Sequence, residues 1–300
     1  MKLRQLAVAV LATCAALSAM AQSITDGSSN TILPGSLTRS GVNVTGNINA
    51  QGTVTGTVTQ VGGGVGNLAN GSNTPGGRAG STIAGGQQVR VGGVAGDVNA
   101  RNITATGSAT ADISQTRIGT LTGGNEQLVA IGSVGNTTAN DINVRGNVVG
   151  IITQIGAAGA SGLNTQAVEV GSVDDTTANN VTADGVLGAT VTQTSSNTLS
   201  LLNEQVVAVG AARRVEANNL TLKGTVVGAI TQNEVNVGAT AISQVLNVGG
   251  ANNAVARNID ATATVRGLVT QVSANVGAGG NLQSVVVGGV QGTRAGGPQN

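Results

Sequence analysis

The chain has 300 residues, 14 Lys and Arg against 13 Asp and Glu, a formal net charge of +1 and 48 glycines, with no His, Trp, Tyr or Phe. That composition excludes nucleic-acid recognition through a basic stripe interleaved with stacking aromatics. It also leaves the usual catalytic bases, nucleophiles and transition-metal ligands missing, so no enzyme activity and no cofactor are expected.

Residues 1–21 read as a secretory signal: Lys2 and Arg4 give the positive start, 6–17 the apolar stretch, and Ala19-Met20-Ala21 a small-residue cleavage site. Its removal takes away the only cysteine, Cys14, and both methionines, and leaves twelve basic against thirteen acidic residues. A lipoprotein alternative is carried by Leu11-Ala12-Thr13-Cys14, a loose lipobox with Thr before the cysteine. Either route exports the chain to the exterior or surface of a bacterium. With neither disulfides nor aromatic anchors, stability has to come from backbone hydrogen bonding, repetition and a thin aliphatic core. No run of about 18 apolar residues follows the leader and no aromatic girdle is present, so no membrane span is expected.

Residues 22–41 read as a weakly ordered segment and 42–60 as a first partial β repeat. The glycine-rich stretch 61–86, with Pro75, is expected to be a flexible linker or extruded loop. Residues 87–290 then carry tandem repeats, and 291–300 read as a disordered tail. The repeat period is 39 residues and glutamine marks it. Gln115, Gln154, Gln193, Gln232 and Gln271 form one series, and Gln127, Gln166, Gln205, Gln244 and Gln283 a second. Such a period is the signature of stacked architecture.

Each repeat holds a long and a short segment. In 142–154, Ile142, Val144, Gly146, Val148, Gly150, Ile152 and Gln154 alternate with a more polar set, the period-two pattern of a strand with one face inward. The short segment reads Gln-x-Val-x-Val-Gly, as in Gln205, Val207, Val209 and Gly210. Asn102, Asn180, Asn219 and Asn258, with Asp141 in the same series, are expected to form an Asn-rich turn between the segments. Parallel, in-register stacking sets like on like about 4.7 to 4.8 Å apart, so buried amides satisfy one another as ladders. The fold expected is all-β, a repeat β-solenoid or cross-β stack.

Other motifs carry less. Asp174-Asp175 reads as a solvated turn, and 92–97 as a turn rather than a calcium repeat because its aspartate does not recur at the period. Gly62-Gly63-Gly64-Val65-Gly66 lacks the Lys-Ser/Thr of a phosphate loop. The pattern opens on a lone long segment, 48–60, and closes on a lone short one, 283–288, which points to head-to-tail polymerisation of the chain with itself.

The signal, the Gly, Asn and Gln-rich strand-turn-strand repeats and the in-register amides together resemble bacterial functional-amyloid subunits of the curli and Fap type, with Gln-x-Val-x-Val-Gly where curli repeats carry Gln-x-Gly-x-Gly-Asn. The resemblance spans roughly residues 42–288. It implies extracellular fibres in a biofilm matrix. Val129-Ala130-Ile131-Gly132 and Val207-Ala208-Val209-Gly210 are similar, four residues at a time, to the head repeats of trimeric autotransporter adhesins. The function expected is structural self-assembly outside the cell. The alternative is a monomeric β-solenoid that acts as an adhesin or binding module for a carbohydrate, a surface or a partner protein.

Overall fold

Where inward and outward side chains alternate for many residues, the backbone runs as strand, and here it does so almost without interruption. The computed structural model describes residues 22–26, 30–32, 37–38, 42–64, 87–276, 279–292 and 294–295. Strands as long as Val134–Val170 and Val173–Val209 are whole coils of one continuous wind. Every pairing is parallel, and the column that starts at Val94 is met again at Val134, Val173, Ala212, Ala251 and Val290, five turns further along. The protein is a β-solenoid with a period of about 39 residues. Among the described residues no helix is long and apolar enough to cross a membrane.

One coil precedes these five turns. Val42–Gly64 lies on the coil that starts at Val94, with Gln60 on Gln115, and Gln87–Val91 completes the circuit with Gln87 on Gln127. The opening long segment is therefore not alone: its short segment follows across residues 65–86. Gln60 and Gln87 are 27 residues apart where Gln115 and Gln127 are 12 apart, and the stack keeps its register on both sides of the difference. The expected linker core, 65–86, and the expected leader, 1–21, lie outside the described residues. Val61–Gly64, read as linker, belong to the strand.

The two ends also depart from expectation. Within the segment read as weakly ordered, Gln22–Asp26 pairs with 56–60, Asn30–Ile32 with 88–90, and Leu37–Thr38 with 94–95. At the other end Val290–Gln291 and Arg294–Ala295 begin a further coil; the rest of the tail, 296–300, lies outside the described residues.

Reversals occur where the backbone turns left-handed. Gly132, Gly171, Gly210, Gly249 and Gly288 have φ between 55° and 59°. Four residues on, Asn136, Asp175, Arg214, Asn253 and Gly292 have φ between 48° and 60°. This corner, and not the column of Asn102, Asp141, Asn180, Asn219 and Asn258, turns the chain; that column runs inside continuous strand with no positive φ. Asn tolerates a left-handed turn but also stacks amide on amide, and here the second property is the one in use.

Gly146 makes the coil close on itself. A Cβ there would overlap the Gly171 nitrogen and the Ile131 carbonyl oxygen, and Gly107, Gly185 and Gly224 stand in the same relation to Gly132, Gly210 and Gly249. This backbone-to-backbone contact divides the interior. On one side Val148, Ile152, Val168, Val170 and their column neighbours form one aliphatic core. On the other, Ile142, Val144, Val173 and Ala178 with their neighbours form a second.

Candidate functional site

The chemistry of this molecule is distributed along columns. In the first, Gln115, Gln154, Gln193, Gln232 and Gln271 each donate from Nε2 to the Oε1 of the glutamine one coil earlier, at 2.7 to 2.8 Å, starting from Gln60. In the second, Gln127, Gln166, Gln205, Gln244 and Gln283 do the same at 2.8 to 3.0 Å, starting from Gln87. Both ladders therefore run with one polarity: donors point to the N-terminal end and acceptors to the C-terminal end.

Gln283 apart, each of these amides also donates to a backbone carbonyl. Gln154 donates to the Ala167 carbonyl (3.0 Å) and Gln193 to that of Val206 (3.1 Å), across the coil from long to short segment. Gln166 and Gln205 donate back to the carbonyls of Thr194 and Asn233, both at 3.0 Å. The ladders thus fasten the two segments together as well as coil to coil, an arrangement invisible to a reading of the columns alone. The sequence sign of it is the constant spacing of 12 between the two glutamine series. Outside, Asn180, Asn219 and Asn258 donate in turn to Asp141, Asn180 and Asn219 at 2.7 to 2.8 Å, and Asn102 stands between Asn47 and Asp141 in that column.

Charged groups are more deeply placed than their sequence positions suggest. Arg90 is fully buried; desolvation lowers its guanidinium to about 10, and the Glu169 carboxylate, two coils away with Ala130 between them in the column, pulls the other way. Glu126 is pushed up to about 7 by burial against the opposing pull of Arg117. Glu234, also pushed up to about 7 by burial, accepts from Asn236 Nδ2 at 3.0 Å. It sits in a buried polar cluster at the bend between long and short segments. There Asn197 donates to Ser195 (2.8 Å), Asn203 (3.0 Å) and Asn236 (3.2 Å), and Asn164 donates to Ser195. Asp174, expected to be solvated, is buried and paired with Arg214 at 3.1 Å; the same guanidinium lies 3.6 Å from the exposed Asp175. The corner turns Asp174 under the chain while Asp175 takes the left-handed position.

No group of three or more His, Cys, Asp or Glu among the described residues could hold a metal. A polar groove open to solvent follows the left-handed corner, lined by Asp97, Asn136, Asp175, Thr176, Arg214 and Glu216.

The feature without counterpart inside the stack is its C-terminal edge. Val255–Val276 pairs with 216–237 on one side, and on the other only Val255 and Ala256 are paired among the described residues. Among the described residues Gly280–Val287 pairs only with 241–248. The core is cut open there. Val226 and Ile230 are buried to 1% and 0% exposure, while Val265 and Val269 in the same columns are only partly buried, and Leu268, Val276 and Leu282 are exposed. Comparisons with protein families, with curated proteins and with solved structures find no match to this chain.

Proposed function

We propose that the protein is a secreted structural subunit that assembles with itself into extracellular or cell-surface fibres, as in a biofilm matrix, and that it performs no catalysis. The observation carrying this reading is the C-terminal edge: the strand Val255–Val276, unpaired on that side beyond Ala256 among the described residues, a half-exposed aliphatic core and two amide ladders still offering acceptors. Soluble β proteins blunt such edges with proline, charge or a covering element. Here the edge keeps the features that hold each internal coil to the next.

The test is assembly of the leader-free chain as a function of concentration, followed by sedimentation and electron microscopy. Filaments whose mass grows with concentration and time are expected. Rods that stay monomeric at every concentration would replace this reading with the second one, a monomeric solenoid that presents its corner groove to a carbohydrate or a partner protein.

A further inference from the structure

The edge that the C-terminal coil leaves open matches the chain's own first coil. Followed through the columns, Ile259, Ala261, Ala263, Val265, Gly267, Val269 and Gln271 correspond to Ile48, Ala50, Gly52, Val54, Gly56, Val58 and Gln60. Six of these seven inward residues are identical, with Ala263 over Gly52 the exception; the last segment shares only Val, Gly and Gln with its own neighbour, Leu220, Leu222, Gly224, Val226, Gly228, Ile230 and Gln232. The short segments agree fully: Gln283, Val285 and Val287 correspond to Gln87, Val89 and Val91.

Charge enters the match sparsely. Val42–Gly64 contains no charged residue, and Asp260 and Arg266 of the last coil fall in the columns of Asn49 and Thr55. In the short segment Arg90 falls in the column of Val286, so no like charge faces it. One period after Ile259 the sequence has Pro298, which has no N–H for a ladder. Hydrogen-bond polarity agrees as well, since among the described residues Gln271 and Gln283 lack the donor that each internal Oε1 receives from the next coil, and Gln60 and Gln87 are the glutamines of the matching columns.

What stands in the way is the strand Gln22–Asp26. It pairs with 56–60 on the side the last coil would use, and it sets Asp26 at the register position of Gln60. Asn30–Ile32 covers 88–90 in the same way.

We propose that the occupant of the open C-terminal edge is a second copy of this chain, whose Val42–Gly64 and Gln87–Val91 stack on Val255–Val276 and Gly280–Val287 after its own Gln22–Thr38 strands have been displaced. This rests on the fibre reading above and adds a polarity and a latch to it. The N-terminal strands keep a single molecule closed at one end, and the contact is heterologous, so it propagates as an open filament instead of closing into a dimer. Gln60 then donates to Gln271 of the molecule before it, and Gln87 to Gln283.

The experiment uses the leader-free chain carrying Ser23→Cys and Thr57→Cys, two positions directly paired in the register. Neighbouring parallel strands lie about 4.8 Å apart, within disulfide reach. Oxidised protein is expected not to elongate seeds, and reductant is expected to restore growth to that of the unsubstituted chain. Equal growth of both redox forms would overturn displacement while leaving the fibre reading intact. If the unsubstituted chain forms no filaments, the fibre reading and this proposal fail together. A second variant, Val265→Lys, is expected to keep the circular dichroism of the monomer because the position is only partly buried there. Its seeded growth should fall by about tenfold or more, since stacking would bury an unpaired charge. Unimpaired growth of that variant would show that another surface assembles.

Discussion

A glutamine in these columns does four things at once. Gln193 donates to Gln154, to the Val206 carbonyl (3.1 Å) and to the Gln166 carbonyl (3.1 Å), and accepts from Gln232 (2.8 Å), all without contact with solvent. Leucine would fill much of the volume yet orphan the Gln232 amide on one side and the Gln154 oxygen on the other. Each buried group left unpaired costs about 1 to 3 kcal/mol, so Gln193→Leu should lower the urea midpoint clearly, while a change at the partly buried Gln271 should cost less. Glu234 and Glu126 make a second prediction. Burial raises both carboxyls to about 7, above the value of an unfolded carboxyl. The fold therefore favours their protonated forms, and that contribution is present at pH 4 and is lost as pH rises toward and through 7. Thermal midpoints should fall between pH 5 and pH 8, and Glu234→Gln should flatten part of that slope. A midpoint that instead rises over this range would contradict the burial of these groups.

At the scale of the coil, glycine sets the geometry. Gly171 combines φ of 55° with a site where an added Cβ would overlap the Asp184 carbonyl oxygen and crowd the Gly146 nitrogen. Because the obstacles are backbone atoms, Gly171→Ala should cost more than about 3 kcal/mol, in the range of buried strain and overpacking. Gly46→Ala, where nothing lies within 4 Å, should change stability little; denaturant titration of the two variants separates the cases. The insertion in the first coil yields another expectation. Since register is kept on both sides of 65–86, removing fifteen residues from that stretch should leave the β signature and the unfolding midpoint near those of the full chain. The period, the inward faces and the glutamine columns were legible because stacking repeats the same environment and so repeats the same residue. The corner was legible only in pieces, as turns at 92–97 and Asp174-Asp175, because Arg214 interrupts the column of Asn136, Asp175, Asn253 and Gly292, whose residue types favour left-handed backbone. The cluster of Asn197, Asn203 and Glu234 was not: Asn164 and Asn203, and Asn197 and Asn236, do keep the 39-residue spacing, but their columns are short and lie in a polar stretch that reads as loop. The strands within 22–38 escaped for a similar reason: they share no pattern with the repeats they cover.

At the scale of the molecule, the two ends differ. One is covered by short strands, and the other exposes core valines, acceptors and strand backbone in the register of a further coil. Stability in such stacks is a sum over coils and their interfaces, so a second molecule added at the open end gains what every internal coil already has. The most direct test is X-ray diffraction from aligned filaments of the leader-free chain. Coils stacked along the filament axis require a meridional reflection near 4.8 Å, and one molecule per six coils adds an axial repeat of roughly 30 Å. Both spacings on the meridian are the expected result. A strand-spacing reflection off the meridian, or a preparation that yields only discrete rods, would contradict a stack that continues from one molecule into the next.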